Sequence, residues 1–133
     1  MKEYIVDACI FTGFVAGESS APIFASYLDL AFGGEIQLLA TTVNLGEFYY
    51  SASRYAPESK VKEFIEDLEK FNLIIFNPTY QDCIEAAQIK VKGGVSYFDC
   101  FNLVLAKKHP KATILTIDSE YKRFIKDYKI KFL

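Results

Sequence analysis

The chain has no tryptophan, one histidine, one methionine and three cysteines in 133 residues. Each scarcity removes a class of function. A zinc centre needs closely spaced Cys or His ligands, but Cys9, Cys83 and Cys100 are far apart, form no CxxC pair, and have only His109 beside them as a further candidate. That histidine, next to Pro110 in a turn, is also the only base for a Ser or Cys triad, and "GESSA" around Ser19 and Ser20 lacks the GxSxG elbow. Neither GxGxxG nor GxxxxGK[ST] occurs, which removes dinucleotide and P-loop nucleotide sites. No apolar run approaches the roughly 18 residues of a membrane span. The N-terminal "MKEYIVDACIF" is broken by Asp7 too early for a signal peptide. Free thiols in or near apolar segments suit a reducing compartment, so a cytoplasmic protein is expected.

What is present fits one globular domain spanning residues 1–133. Apolar residues make up 51% and charged residues 24%, which is incompatible with disorder. The 12 Phe and 9 Tyr fall mostly at core-like positions and read as packing. In "FYYSASRY" (48–55), stacking on nucleobases is the alternative to packing. Net charge is -2 but unevenly spread. Residues 1–85 carry 5 Lys/Arg against 13 Asp/Glu, and residues 86–133 carry 10 against 4. The basic half, including Lys107, Lys108, Lys122 and Arg123, is compatible with a polyanion, a charged partner protein or plain solvated helix faces.

The pattern of elements predicts an α/β fold. "EYIVD" (3–7), "EIQLLA" (35–40), "LIIF" (73–76) and "ATILT" (112–116) read as buried strands, with "YKIKFL" as a fifth, edge strand. Helical stretches separate them: from Ala8; after an N-cap at Ser19 or Ser20 as far as Gly33-Gly34; from the Thr41-Thr42 pair; 58–71, where Val61, Phe64, Ile65, Leu68 and Phe71 share a face; from Thr79 to Gly93-Gly94; and the stretch after those glycines until His109-Pro110 breaks it. "DSEYKRFIKD" reads as a short helix. Strands alternating with helices imply a mostly parallel sheet of four or five strands with helices on both faces, and a ligand site outside the carboxyl ends of the strands.

Three acids fall at or near that edge, and the alternation alone does not fix a fourth, Asp99, whose helix follows another helix. Asp7 ends the first strand and Asp118 follows the "TILT" strand. Glu47 lies in the second turn of the helix after strand two, on a stripe with Asn44, Ser51 and Arg54. Asp99 sits in the first turn of an apolar helix, with Asn102 one turn later. Singly, Asp7, Asp99 and Asp118 read as helix N-caps and Glu47 as part of a solvated face. Together, converging carboxylates resist ionisation unless a cation offsets them, and an all-oxygen donor set favours Mg²⁺ or Mn²⁺. Such a centre can support phosphodiester hydrolysis.

In order, "YIVDACIF", "TTVNLGEFYYSA", "GGVSYFDCFNLVLAKKH" and "TILTIDSEYKRF" resemble the four acidic blocks of the PIN-domain ribonucleases, over nearly the whole chain. The closest resemblance is to the small VapC-type toxins of prokaryotic toxin–antitoxin pairs. It implies a PIN-like three-layer sandwich in which Asp7, Glu47, Asp99 and Asp118 bind one or two Mg²⁺ or Mn²⁺ ions and cut RNA. Thr116 and Asn102 would support the acids, Asn102 pointing into the same pocket, and Glu120 would be a further acid. The resemblance also implies a homodimer and a small antitoxin covering the pocket. Arg54, Lys107, Lys108, Lys122 and Arg123 would flank the acids and hold RNA phosphates. Members often carry Ser, Thr or Asn two residues after the first Asp; here that position is Cys9, a poor partner for hydrated Mg²⁺.

Two other readings remain open on the residues alone. One is a PIN-like module that binds RNA or a partner without cutting. The other is a receiver-like phosphoacceptor, which would want paired acids after strand one and a late lysine, neither of which is evident.

Overall fold

The computed structural model describes residues 1–133. Five strands, β1 (Lys2–Val6), β2 (Ile36–Thr41), β3 (Leu73–Phe76), β4 (Thr113–Thr116) and β5 (Ile130–Phe132), form one sheet in the order β3-β2-β1-β4-β5. Every pairing is parallel. Six α-helices connect them: α1 (Ala8–Ala16), α2 (Ala21–Phe32), α3 (Thr42–Ala52), α4 (Glu58–Leu68), α5 (Tyr80–Val91) and α6 (Tyr97–Lys108).

The strands are buried on both faces because their side chains alternate between two cores. Val6, Ile36, Leu38, Ala40 and Leu115 point to a core built with α1 to α4, where Phe11, Phe24 and Phe48 interlock. Ile5, Leu39 and Ile114 point to the other core, against Leu103, Val104 and Leu105 of α6. The result is a three-layer α/β/α sandwich. Apolar α1 and α2, bent from one another by 112°, pack within the first core, and no single helix is long and apolar enough to cross a membrane.

Two expected helices end differently. The 58–71 stretch is α-helical only to Leu68, then tightens to a 3-10 turn over Glu69–Phe71, and Asn72 adopts a left-handed φ of 53° that turns the chain into β3. "DSEYKRFIKD" forms only a 3-10 segment, Ser119–Phe124. Its inward residues, Tyr121 and Phe124, are three apart, which is the repeat of a 3-10 turn. Ser20 occupies the N-cap position of α2 without capping it, and its buried hydroxyl has no partner.

β1 pairs with β2 on one side and β4 on the other, so the chain reverses its winding direction at β1. Crevices form at the carboxyl ends of strands at such a switch point. The register pairs Val6 with Leu115 and Ile5 with Leu39. Asp7, one residue past β1, is thereby set beside Thr116 at the mouth of the crevice.

Candidate active site

Asp7 occupies the N-cap position of α1 in extended backbone, yet its side chain does not cap the helix. Asn44 does that work from α3, accepting the Ala8 amide on Oδ1 at 3.0 Å. Asp99 is likewise excused: Ser96 caps α6 by accepting the Asp99 amide at 3.2 Å. Only Asp118 behaves as a cap, taking the Glu120 amide on Oδ1 at 2.9 Å. For Asp7 and Asp99, another side chain has met the helix's demand, which leaves the carboxylates turned elsewhere.

They turn toward Glu47. Asp7, Glu47 and Asp99 each offer a ligand oxygen, and these atoms lie within 4.8 Å of one another. They open into a cleft of about 440 Å³ that is also lined by Cys9, Glu18, Ser51, Arg54, Tyr55, Ser96, Asp118 and Glu120. Asp7 is 2% exposed and Asp99 6%, so both carboxylates are nearly stripped of water.

Their electrostatics follow from that burial. Desolvation, together with the charges of Asp7 and Glu47, pushes Asp99 up to about 8. Asp7 is raised mainly by burial, against the lowering hydrogen bonds from Thr116 and Cys9. Glu47, half-buried, is raised by desolvation and by the charges of Asp7 and Asp118. Three carboxylates all raised by burial and by neighbouring acids at the bottom of a cleft form a site short of positive charge. An all-oxygen, mutually repelling donor set of this kind fits a hard divalent cation.

Asp7 itself is held from below and beside. Its Oδ2 accepts Thr116 Oγ1 at 2.7 Å and Cys9 Sγ at 3.1 Å, and its Oδ1 accepts Asn102 Nδ2 at 3.2 Å. Burial and the Asp7 charge drive the Cys9 thiol well above the ordinary thiol range, so it stays protonated and acts as a donor.

The structure sorts the other residues expected at the site. Asp118 lines the cleft outside the three-acid cluster, and Glu120 lies exposed on its wall. Asn102 does not open into the pocket; it is fully buried beneath Asp7. Of the basic residues, only Arg54 lines the cleft. Lys107 and Lys108 do not flank the acids: Lys108 stands nine positions beyond Asp99 on α6, about 13 Å along the helix. Lys108 bonds Asp82 at 2.7 Å and covers the Phe76 ring, whereas Lys107 borders a separate cavity with Lys126 and Lys129. Lys122 and Arg123 are also outside the lining; the Arg123 side chain lies across Gly94, which has a left-handed φ of 120° and no room for a Cβ.

Sequence reasoning overlooked Ser96 and Tyr121 and left Asn44 as one member of a stripe. Ser96 was findable, because Ser-x-x-Asp before an apolar run is a helix-start pattern. Tyr121 carried no signal, since a lone tyrosine in a polar segment says nothing about what it meets.

The PIN-domain family model matches residues 4–126. The chain belongs to the PIN-domain family. PIN domains are typically nucleases that use divalent metals. No curated protein matches the sequence. Among solved structures, the fold is similar to a chain of VapBC2 from Rickettsia felis bound to a promoter DNA fragment, at 12% identity and TM-score 0.71, covering 98% of each chain. It is similar to DNA-bound VapBC from Salmonella typhimurium at 18% identity and TM-score 0.69, covering 99% of this chain and 98% of that one. A toxin–antitoxin complex from Klebsiella pneumoniae matches at 14% identity and TM-score 0.68, covering 96% and 95%. At these identities the likeness is one of fold. With PIN membership, the receiver-like alternative falls away.

Proposed function

We propose that this PIN domain is a Mg²⁺- or Mn²⁺-dependent endoribonuclease and the toxin of a toxin–antitoxin pair, acting in the cytoplasm as a homodimer of single-domain chains. The observation that carries the reading is the convergence of Asp7, Glu47 and Asp99 within 4.8 Å at the β1 switch point. These three acids would hold the ion, with Asp118 completing the site from the cleft wall and Glu120 at the entrance. A bound Mg²⁺ or Mn²⁺ supplies charge stabilisation on a phosphate oxygen and activates a water for attack.

The chain's own residues do the rest. Thr116 and Cys9 fix Asp7 Oδ2, so the carboxylate needs no reorganisation when it engages a cation. Arg54, in the turn that follows α3 and the one cation in the lining, is placed to draw a phosphate into an otherwise acidic cleft. A cleft in want of positive charge also fits a basic side chain offered by an antitoxin, which matches the company its structural relatives keep in VapBC and toxin–antitoxin complexes. RNA as the substrate rests on the resemblance to VapC-type ribonucleases.

Cys9 supports a second reading, a PIN-like module that binds without cutting, because a thiol beside Asp7 is a poor neighbour for hydrated Mg²⁺. Incubating purified protein with a mixed structured RNA pool separates the two. Cutting in Mn²⁺ or Mg²⁺ that EDTA abolishes supports the nuclease; intact but bound RNA in every metal supports the module.

A further inference from the structure

Beneath the acid cluster lies a buried polar chain that the cleft does not show. Asn102 and Tyr121 are both 0% exposed. Asn102 Nδ2 lies 3.0 Å from Tyr121 Oη, 3.2 Å from Asp7 Oδ1 and 3.3 Å from Asn44 Oδ1. Its Oδ1 accepts Asn44 Nδ2 at 3.1 Å. Tyr121 Oη also reaches the Asp99 carbonyl, at 3.5 Å.

Counting donors assigns these contacts. An amide NH₂ has two hydrogens, and three acceptors surround it. Asn44 Oδ1 already takes the Ala8 amide and is the most distant of the three, so the two hydrogens go to Asp7 and Tyr121. With Asp7 ionised, as cation binding requires, the amide faces this way, because turned over it would set its carbonyl oxygen against the carboxylate. Tyr121 accepts from Asn102 and directs its own hydrogen at the Asp99 carbonyl. Both contacts of this hydroxyl are to α6, so it braces the helix that carries Asp99, and Asn102 of the same helix reaches across to Asp7 at the end of β1.

The same counting picks out one oxygen of Asp7. Each carboxylate oxygen has about two acceptor positions. Thr116 and Cys9 fill both on Oδ2, whereas Asn102 fills one on Oδ1. We propose that Asn102 and Tyr121 are positioning residues that present Oδ1 of Asp7, the one oxygen with a free position, to the divalent cation. This rests on the metal-site reading above and adds which atom is offered and what aims it. An apolar helix could carry Asp99 without a buried asparagine three residues on. The cost of burying an amide and a phenol there is met by a fully bonded chain, which rigidifies its members.

Mn²⁺ binding to the purified full chain, followed by electron paramagnetic resonance of the free ion, tests this without any substrate. Tyr121→Phe removes one oxygen and keeps the ring in the core. Its Mn²⁺ affinity is expected to fall about tenfold, the usual effect of losing a group that orients a ligand. Asn102→Ala should cost at least as much, and the double variant no more than the worse single one. Tyr128→Phe, a change outside the chain of contacts, should leave affinity unchanged. Thermal melts run alongside, since destabilisation alone lowers the melting temperature without altering the affinity of the folded fraction. If Asn102→Ala fails to fold, Tyr121→Phe alone decides. Wild-type affinity in folded Tyr121→Phe, or losses that multiply in the double variant, would overturn the inference and leave the metal site standing. No Mn²⁺ binding by the wild type would overturn both.

Discussion

Thr116 stands beside Asp7 across the β1–β4 boundary, its hydroxyl 2.7 Å from Asp7 Oδ2, and the same hydroxyl accepts the Asp118 amide at 3.0 Å. One side chain therefore orients an acid of the cluster and anchors the backbone that carries an acid of the wall. The contact follows from strand register, which places the residue after Val6 next to the residue after Leu115. Thr116→Val keeps the shape and removes the donor. It should lower metal-dependent cleavage about tenfold, and Thr116→Ser should retain most of it. Single-turnover cleavage by the two variants checks this; a fully active Thr116→Val would show that the hydroxyl does not matter.

Cys9 offers a test in the opposite direction. Its thiol donates to Asp7 Oδ2 at 3.1 Å, a contact a hydroxyl could make while offering an oxygen to the cleft. Cys9→Ser should raise Mg²⁺-supported cleavage several-fold and narrow the gap between Mg²⁺ and Mn²⁺, because the harder ion prefers oxygen neighbours. Rates in the two metals, before and after the substitution, measure it. Unchanged rates would discard the idea.

The pH dependence has a definite sign. Asp99 is raised from its ordinary carboxylate value to about 8, so in the metal-free protein near pH 7 it still carries its proton. Cation binding must displace that proton. Affinity for Mn²⁺ should therefore climb from pH 6 to about pH 8 and then level off, and titration calorimetry near pH 7 in buffers of different ionisation enthalpy should detect proton release. Because the folded state holds this proton more tightly than the unfolded chain, stability without metal is greatest below the unfolded value. It declines as pH rises through about 8. Asp99→Asn removes the penalty while abolishing cleavage. At pH 8 without metal it should be more stable than wild type by about 1–2 kcal/mol. A melting curve that falls instead would contradict this account of the burial.

The basic residues divide along the cleft. Arg54→Ala should weaken RNA binding, read as an increase in KM of about tenfold with little change in kcat. Lys108→Ala should leave KM near wild type and cost stability, since Lys108 is engaged by buried Asp82. Equal effects on KM would mean that RNA wraps well beyond the cleft.

Much of this was legible in the residues because it depends on local pattern. The strand at Leu73–Phe76 was readable to the residue, because "LIIF" is stopped by Asn-Pro on one side and entered from a polar helix on the other. Asp7 and Glu47 were readable at one edge because parallel strands deliver their carboxyl ends there. Asp99, on a helix that follows another helix, was tied to them only by the resemblance, and Asp118, expected with them, stands outside the cluster. Tyr121 was not, since a fully buried phenol and a solvated one look alike in a polar segment. The lysines misled for a related reason: charge counted along the chain does not reveal which end of a helix faces the site. Lys107 and Lys108 share α6 with Asp99 yet sit at its far terminus. Capping was half legible. Asp7 and Asp99 stood where caps belong, and only the fold reveals that Asn44 and Ser96 had taken the task.

The most direct test of the central claim is single-turnover cleavage of one oligoribonucleotide across a range of Mn²⁺ concentrations, by wild type and by Asp7→Asn, Glu47→Gln, Asp99→Asn and Asp118→Asn. Substitution of any member of the three-acid cluster should cost roughly 100-fold or more, and added Mn²⁺ should not restore it. Asp118→Asn, outside the cluster, should lose less and recover as Mn²⁺ rises. Wild-type rates in any of the three cluster variants, or cleavage by wild type that persists in EDTA, would contradict a metal-dependent site built on Asp7, Glu47 and Asp99.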